Sequence, residues 1–189
     1  MVKYLNDFEE YLNRNSLTKK DVCIVGSAAL AVKGGRDNKD IDFIIRPSKL
    51  KKFKKFNKIP LNYSGHHEVE NNIDIYKNRY VIVNIDDSMI FKRKLYKHYN
   101  GYNFVKAEIE IAYKNVRMRS KDIEDMKEIN SISNSWRSLD WNYVDEVSKR
   151  YYSLTNYRKM RYKIDELVRN PSIIKFKIKK ILNLENPKL

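Results

Sequence analysis

Two aspartates separated by one apolar residue, Asp40 and Asp42, are the feature that most constrains this chain. They follow a Gly-Ser pair, Gly26 and Ser27, which ends an apolar run rich in β-branched residues. Because side chains alternate along a strand, Asp40 and Asp42 point to one face while Ile41 points to the other. Carboxylates held side by side repel each other unless a cation neutralises them, and such hard oxygen ligands suit Mg²⁺. The pattern therefore predicts a metal site beside a phosphate-binding turn.

A third acid extends this pattern into a family resemblance. Asp74 lies between Ile73 and Ile75, in a second short apolar run. This order of elements resembles the signature of the nucleotidyltransferase superfamily, which has the DNA polymerase β-like fold. The signature consists of a Gly-Ser turn, a helix, Asp-x-Asp on the next strand and a carboxylate on a later strand. The resemblance covers roughly the first half of the chain, because the spacing extends from residue 26 to residue 74.

The resemblance implies both the cofactor and the reaction. Asp40, Asp42 and Asp74 would be the catalytic residues and would bind two Mg²⁺ ions, for which Mn²⁺ can substitute. A nucleoside triphosphate such as ATP would be the donor substrate. One ion would lower the pKa of the attacking hydroxyl and the other would stabilise the departing pyrophosphate. Catalysis would then consist mostly of positioning and charge neutralisation.

Four residues near the turn are expected to bind the phosphates of the nucleotide. Gly26 and Ser27 would present backbone amides and a hydroxyl at a helix N-terminus. Arg36 and Lys39 lie in the following loop and are candidates for phosphate contacts. Lys39 stands where many relatives have Ser or Thr, which is a departure from the family pattern.

A later segment supplies a fifth candidate for nucleotide binding. The stretch 110–122 resembles the region where many small relatives carry a Lys and a following Lys-Asp pair. Lys114 could reach the triphosphate, and a solvated position on a basic helix is an equally good interpretation. For Arg117 and Arg119 the solvated face is favoured.

The periodicity of apolar residues predicts an α+β fold, with a mixed sheet followed by a helical half. We predict a nucleotidyltransferase-like catalytic core at 1–95 and a helical C-terminal region at 96–189. His66 and His67 fall in a predicted polar loop and are interpreted as surface histidines. The predicted strands are 21–25, 40–46, 73–76 and 80–84. The predicted helices are 4–13, 28–33, one after residue 48, 106–130, 139–152 and one after residue 170. The predicted loop is 57–71.

The charge of the chain suggests a polyanionic partner. Lys and Arg number 39 against 24 for Asp and Glu, which gives a net charge of +15. RNA or DNA binding is one interpretation, and a composition shaped by AT-rich coding is the other. The single Cys23 excludes a disulfide framework, and no apolar run is long enough to cross a bilayer. We therefore expect a cytoplasmic protein that does not bind membranes.

The sequence as a whole predicts an enzyme that moves a nucleoside monophosphate from a nucleoside triphosphate to a hydroxyl. The acceptor would be RNA, such as a tRNA, or a protein. Alternatives are transfer to a small molecule (an antibiotic or a sugar) and an inactive module that binds nucleotide or RNA. Such a module would be expected to lack carboxylates, whereas all three are present here, so the site favours an enzyme. The oligomeric state is left open.

Overall fold

A computed structural model of the chain describes residues 2–34, 37–53, 65–70, 72–131 and 138–152. The chain divides into two compact units, Met1–Tyr151 and Tyr152–Leu189, and the described residues up to Tyr151 belong to the first. The predicted tail helix after residue 170 lies outside the described residues. The strands of the first unit are β1 Val22–Val25, β2 Ile41–Ile45, β3 Gly65–Glu70, β4 Ile73–Lys77, β5 Tyr96–Tyr99 and β6 Tyr102–Val105.

Helices flank these strands on the described part of the chain. None of the described helices is long and apolar enough to span a membrane. A 3₁₀ turn covers Val81–Val83. The α-helices are α1 Leu5–Arg14, α2 Gly26–Ala31, α3 Pro47–Leu50, α4 Asp87–Lys92, α5 Ala107–Arg117, α6 Ser120–Ser131 and α7 Trp141–Tyr152.

The six strands form one mixed sheet in the order β3-β4-β2-β1-β6-β5. β2 pairs antiparallel with β1 and parallel with β4, while β6 runs parallel to β1. Every residue of β1 and β2 is buried, as expected for central strands covered on both faces. The predicted α+β fold with a mixed sheet is confirmed.

The two faces of β2 carry different chemistry. Phe43 points toward α1, where its ring lies 4.9 Å from the ring of Phe8 and 5.8 Å from that of Tyr11. Asp42, the preceding residue, points to the opposite face, where its partners are polar and charged. The apolar face therefore anchors the strand, while the other face holds a carboxylate at a defined place.

Several predicted elements differ from the structure. The predicted strand 80–84 is a 3₁₀ turn that ends at Asn84 in the left-handed conformation, at φ 57°. The predicted helix 106–130 is two helices, because Met118 is left-handed at φ 54° and ends α5. Part of the predicted loop 57–71 is the strand β3, which pairs with β4, and residues 54–64 lie outside the described part. The hairpin of β5 and β6 was not predicted, and it extends the sheet beyond residue 95. The division into a catalytic core at 1–95 and a helical region at 96–189 stays a prediction.

A buried carboxyl at the start of α4 generates a prediction about stability. Asp87 Oδ2 accepts a hydrogen bond from the Asn78 amide at 2.8 Å, whereas Oδ1 has no partner among the described residues. Burial, reinforced by the charge of Asp86, raises the pKa of Asp87 to about 7. The Asn78 hydrogen bond and the charge of Lys77 oppose this rise. The folded state thus binds a proton more tightly than the unfolded state, so stability is lost as pH rises from about 4 to about 7.

We expect Asp87→Asn to remove this pH dependence. The free energy of unfolding of the wild-type protein should fall relative to that of the variant by up to about 1.4 kcal/mol per pH unit. Urea unfolding between about pH 5 and about pH 8 measures the difference. The exposed Asp145→Asn serves as a control and should track the wild type. Parallel curves for Asp87→Asn and wild type would contradict the assignment.

Candidate metal centre

Three carboxylates meet at one edge of the central strands. The parallel register of β2 and β4 places Asp42 directly beside Asp74, and Asp40 lies two residues before Asp42. One potential ligand atom from each of the three residues lies within 4.8 Å of the other two. Asp42 is buried, while Asp40 and Asp74 are half-buried. The sequence prediction that these three acids lie together on one face is therefore reproduced in the structure.

A buried asparagine fixes the segment that carries Asp40. Asn38 Nδ2 donates to the backbone oxygens of Asp40 at 3.0 Å and Lys3 at 3.2 Å. Its Oδ1 accepts from the Lys3 amide at 2.8 Å. These three bonds tie the start of β2 to the N-terminal segment, so Asp40 has a defined place although it precedes the strand.

The electrostatics of the three acids fit a cation. Burial, opposed by Arg79 and reinforced by the charges of Asp40, Glu110 and Asp74, raises the pKa of Asp42 to about 6. A raised pKa means that negative charge at this position is incompletely compensated. Three hard oxygen donors of this kind are suited to a divalent ion such as Mg²⁺ or Mn²⁺. The cluster could therefore hold a metal.

Gly26 makes room for the Asp42 carboxylate. It has a φ of +71°, and a Cβ at this position would overlap Asp42 Oδ2 and lie 3.0 Å from Cγ. Its amide donates to Glu110 Oε2 at 3.2 Å, and the next residue, Ser27, is half-buried. The glycine is thus required by the carboxylate that it faces. Phosphate binding by Gly26 and Ser27 stays a prediction.

Arg79 is not among the site residues that the sequence predicts. Its guanidinium is buried and bridges two acids, with Nη1 3.2 Å from Asp42 Oδ2 and Nη2 3.3 Å from Glu110 Oε1. The guanidinium carbon also lies 4.4 Å from the centre of the Tyr76 ring, a cation–π contact. Nothing in the local sequence distinguishes this arginine from a solvated one.

Glu110 was missed as well, although the sequence contains a signal for it. It lies in a run of apolar residues of α5, between Ile109 and Ile111, and a buried acid requires a partner. Although burial alone would raise it, Arg79 and Lys114 lower the pKa of Glu110 to about 2, helped by the Tyr80 hydroxyl, which donates to Oε2 at 2.5 Å. Glu110 is therefore a buried, ionised anion.

Lys114 is buried in the structure and does not lie on a solvated face. Its Nζ donates to Asp125 Oδ2 at 2.7 Å and lies 3.6 Å from Asp122 Oδ1 and 3.8 Å from Glu110 Oε1. These acids of α5 and α6 surround the ammonium. A contact of Lys114 with the triphosphate stays a prediction.

Arg117 is also buried, so its interpretation as a solvated residue was wrong. Its Nε and Nη2 donate to the two oxygens of Asp122 at 2.8 Å and 2.6 Å, and Nη1 donates to the Tyr113 hydroxyl at 3.1 Å. This bidentate pair joins the end of α5 to the start of α6. Arg119 is exposed, as expected, and its Nε donates to Asp122 at 3.3 Å.

The remaining sequence candidates lie around the carboxylates. Lys39 is exposed beside Asp40, and Arg36 lies outside the described residues, so their phosphate contacts stay predictions. His66 lies on β3, and its Nε2 is 3.1 Å from Asp74 Oδ2. The hydrogen bond that the His66 ring donates to the Asp74 carboxylate raises the pKa of His66. His66 is thus exposed, as predicted, yet contacts the carboxylate cluster, which the sequence analysis did not foresee.

Gly26→Ala is expected to weaken divalent-metal binding by about tenfold or more, because the added methyl group displaces the Asp42 carboxylate. Gly101→Ala is a matched control: Gly101 has a φ of +80°, but a Cβ there meets only Lys19 Cδ, at 3.6 Å. Both variants should lose about 1 to 2 kcal/mol of stability through the left-handed backbone. Titration with Mn²⁺ followed by electron paramagnetic resonance measures the affinity. Equal Mn²⁺ affinities in the two variants would contradict this role of Gly26.

Comparison with known protein families identifies the family of the chain. The family model described as "Nucleotidyltransferase of unknown function (DUF6036)" matches residues 3–178. No curated protein and no solved structure shows significant similarity to the chain. The chain therefore belongs to this nucleotidyltransferase family, and the superfamily resemblance predicted from the sequence is confirmed.

Proposed function

We propose that this member of the nucleotidyltransferase family transfers a nucleoside monophosphate from a nucleoside triphosphate to a hydroxyl group. The observation that carries the proposal is the meeting of Asp40, Asp42 and Asp74, with ligand atoms within 4.8 Å of one another, beside the Gly26 turn. We further propose that the cluster holds two Mg²⁺ ions, with Mn²⁺ as a substitute. The family match supports nucleotidyl transfer as the general reaction.

The chain's own residues would hold and orient the reactants. The acceptor oxygen forms a bond to the α-phosphorus, the bond from that phosphorus to the β-phosphate bridging oxygen breaks, and pyrophosphate leaves. We assign to Asp74, which is half-buried, the role of receiving the hydroxyl proton, either directly or through water. Bound divalent ions would neutralise the triphosphate and lower the pKa of the hydroxyl. Ser27, Arg36, Lys39 and Lys114 remain candidates for phosphate contacts.

The acceptor that best fits the surface is RNA, such as tRNA. The stretch between Asp87 and Glu108 contains no acidic residue. We call the exposed side chains of Lys92, Arg93, Lys94 and Lys97 in this stretch the basic strip, and none of them forms an ion pair with a carboxylate of the described residues. Tyr99 is exposed at the end of the strip and offers an aromatic surface for a base.

Protein and small-molecule acceptors and a binding-only role are the competing outcomes. A basic surface attracts polyanions and repels polycations such as aminoglycosides, so a small-molecule acceptor would have to be neutral or acidic.

A cytoplasmic location is proposed because Cys23 is a free, buried thiol.

We predict that Asp42→Asn abolishes transfer while leaving the protein folded, because it removes a metal ligand and relieves like-charge repulsion. The assay supplies each α-³²P-labelled nucleoside triphosphate with Mg²⁺ to separate fractions of tRNA, cell protein and metabolites. Asp145→Asn, an exposed substitution on α7, is the matched control and should transfer label as the wild type does. Full activity of Asp42→Asn would refute the site.

The labelled fraction identifies the acceptor class. Label in tRNA supports the proposal, label in protein or metabolites overturns the RNA assignment, and nucleotide binding without transfer into any fraction favours the binding-only role.

The basic strip gives a separate prediction. The triple variant Lys92→Ala/Arg93→Ala/Lys94→Ala should bind tRNA more weakly, with a slope of log affinity against log salt that is smaller by about two to three. The reason is that a variant with fewer phosphate contacts releases fewer counterions when it binds. Lys149→Ala, an exposed substitution on α7, is the control. Fluorescence anisotropy at several salt concentrations measures the slopes, and an unchanged slope in the triple variant would contradict the role of the strip.

A further inference from the structure

The Arg79 guanidinium occupies an unusual position for a charged group. Arg79 is 3 % exposed and lies between Asp42 on β2 and Glu110 on α5. Nε and Nη1 have no hydrogen-bond partner among the described residues, although Nη1 lies 3.2 Å from Asp42 Oδ2. A buried cation with incomplete hydrogen bonding lowers the stability of the fold relative to an apolar residue. We therefore expect Arg79 to have a role that requires its charge.

The two oxygens of Asp42 have different surroundings. Oδ2 lies beside Arg79 Nη1 and occupies the space that a side chain at Gly26 would take. Oδ1 has no ion-pair partner among the described residues. Arg79 therefore contacts the carboxylate at Oδ2, and one oxygen of Asp42 lies within 4.8 Å of a ligand atom of Asp40 and of Asp74.

The ion-pair network that continues from Arg79 balances its charges without Asp42. Ion pairs connect three acids and three bases from Arg79, which follows β4, to α6, namely Glu110, Asp122, Asp125, Arg79, Lys114 and Arg117. These six side chains carry no net charge. Arg79 can therefore hold Asp42 in place while the three clustered aspartates keep their negative charge for a cation.

We infer that Arg79 is a positioning residue for the proposed metal site: anchored on Glu110, it holds Oδ2 of Asp42 inward so that Oδ1 faces the cation. The inference rests on the proposed function, because it presupposes that Asp40, Asp42 and Asp74 bind a divalent ion.

The sign of a mutational effect separates positioning from simple electrostatics. A positive charge near a metal ligand disfavours a second cation, so its removal should tighten metal binding if charge alone mattered. Loss of a positioning contact should instead weaken metal binding, by about 10- to 100-fold for a group that orients a ligand. The two effects thus have opposite directions.

The test uses the full-length protein and two variants. Arg79→Lys keeps the charge, but one ammonium cannot span Asp42 and Glu110 as the guanidinium fork does. The double variant Arg79→Met/Glu110→Gln removes one buried cation and one buried anion together, so that the net charge of the buried network does not change. Arg117→Lys is the matched control, because it changes a buried arginine of the same network that pairs with Asp122.

Mn²⁺ affinity is measured by electron paramagnetic resonance at one pH, and circular dichroism verifies that each variant is folded. We expect both Arg79 variants to bind Mn²⁺ at least about tenfold more weakly than wild type, with Arg117→Lys unchanged. Equal or tighter binding in a folded Arg79 variant would overturn the inference, as would the same loss in Arg117→Lys. Failure of the wild-type protein itself to bind Mn²⁺ would instead overturn the metal site on which the proposed function depends.

Discussion

The contact of one buried guanidinium with two carboxylates is the interaction on which the site depends. Asp42 and Glu110 are both buried, and Arg79 lies within 3.3 Å of both. Removing one member of a buried ion pair costs roughly 3–5 kcal/mol, because the remaining charge loses its partner. Arg79 therefore allows two acids of β2 and α5 to be buried close together.

The same cation leaves the two acids in different states. Glu110 has a pKa lowered to about 2, because Lys114 and the Tyr80 hydroxyl reinforce the effect of Arg79 against burial. Asp42 has a pKa raised to about 6, because burial and the neighbouring aspartates outweigh Arg79. Carboxylates whose surroundings push their pKa values apart commonly have different roles. Here Glu110 is a structural anion, and Asp42 is the acid that a metal would satisfy.

The sequence predicted the features whose signals lie within a short segment of the chain, and it missed those that depend on tertiary contacts. Strand periodicity identified Asp40 and Asp42 and the mixed sheet, because alternation and flanking apolar residues are properties of short segments, and the family resemblance added Asp74. Arg79 could not be predicted, because its partners Asp42 and Glu110 are distant in sequence, and the burial of Lys114 follows from the packing of α6 against α5. The strand β3 and the exposed strand β5 carry several polar side chains, and both owe their conformation to pairing with neighbouring strands.

A crystal structure of the protein with Mn²⁺ and a non-hydrolysable nucleoside triphosphate analogue would test the central claim most directly. The account predicts anomalous scattering from Mn²⁺ at roughly 2.0–2.3 Å from carboxylate oxygens of Asp40, Asp42 and Asp74, with Oδ2 of Asp42 still against Arg79. The triphosphate should lie against the same ions. Absence of Mn²⁺ from this cluster at saturating concentration, or a triphosphate bound elsewhere, would contradict it.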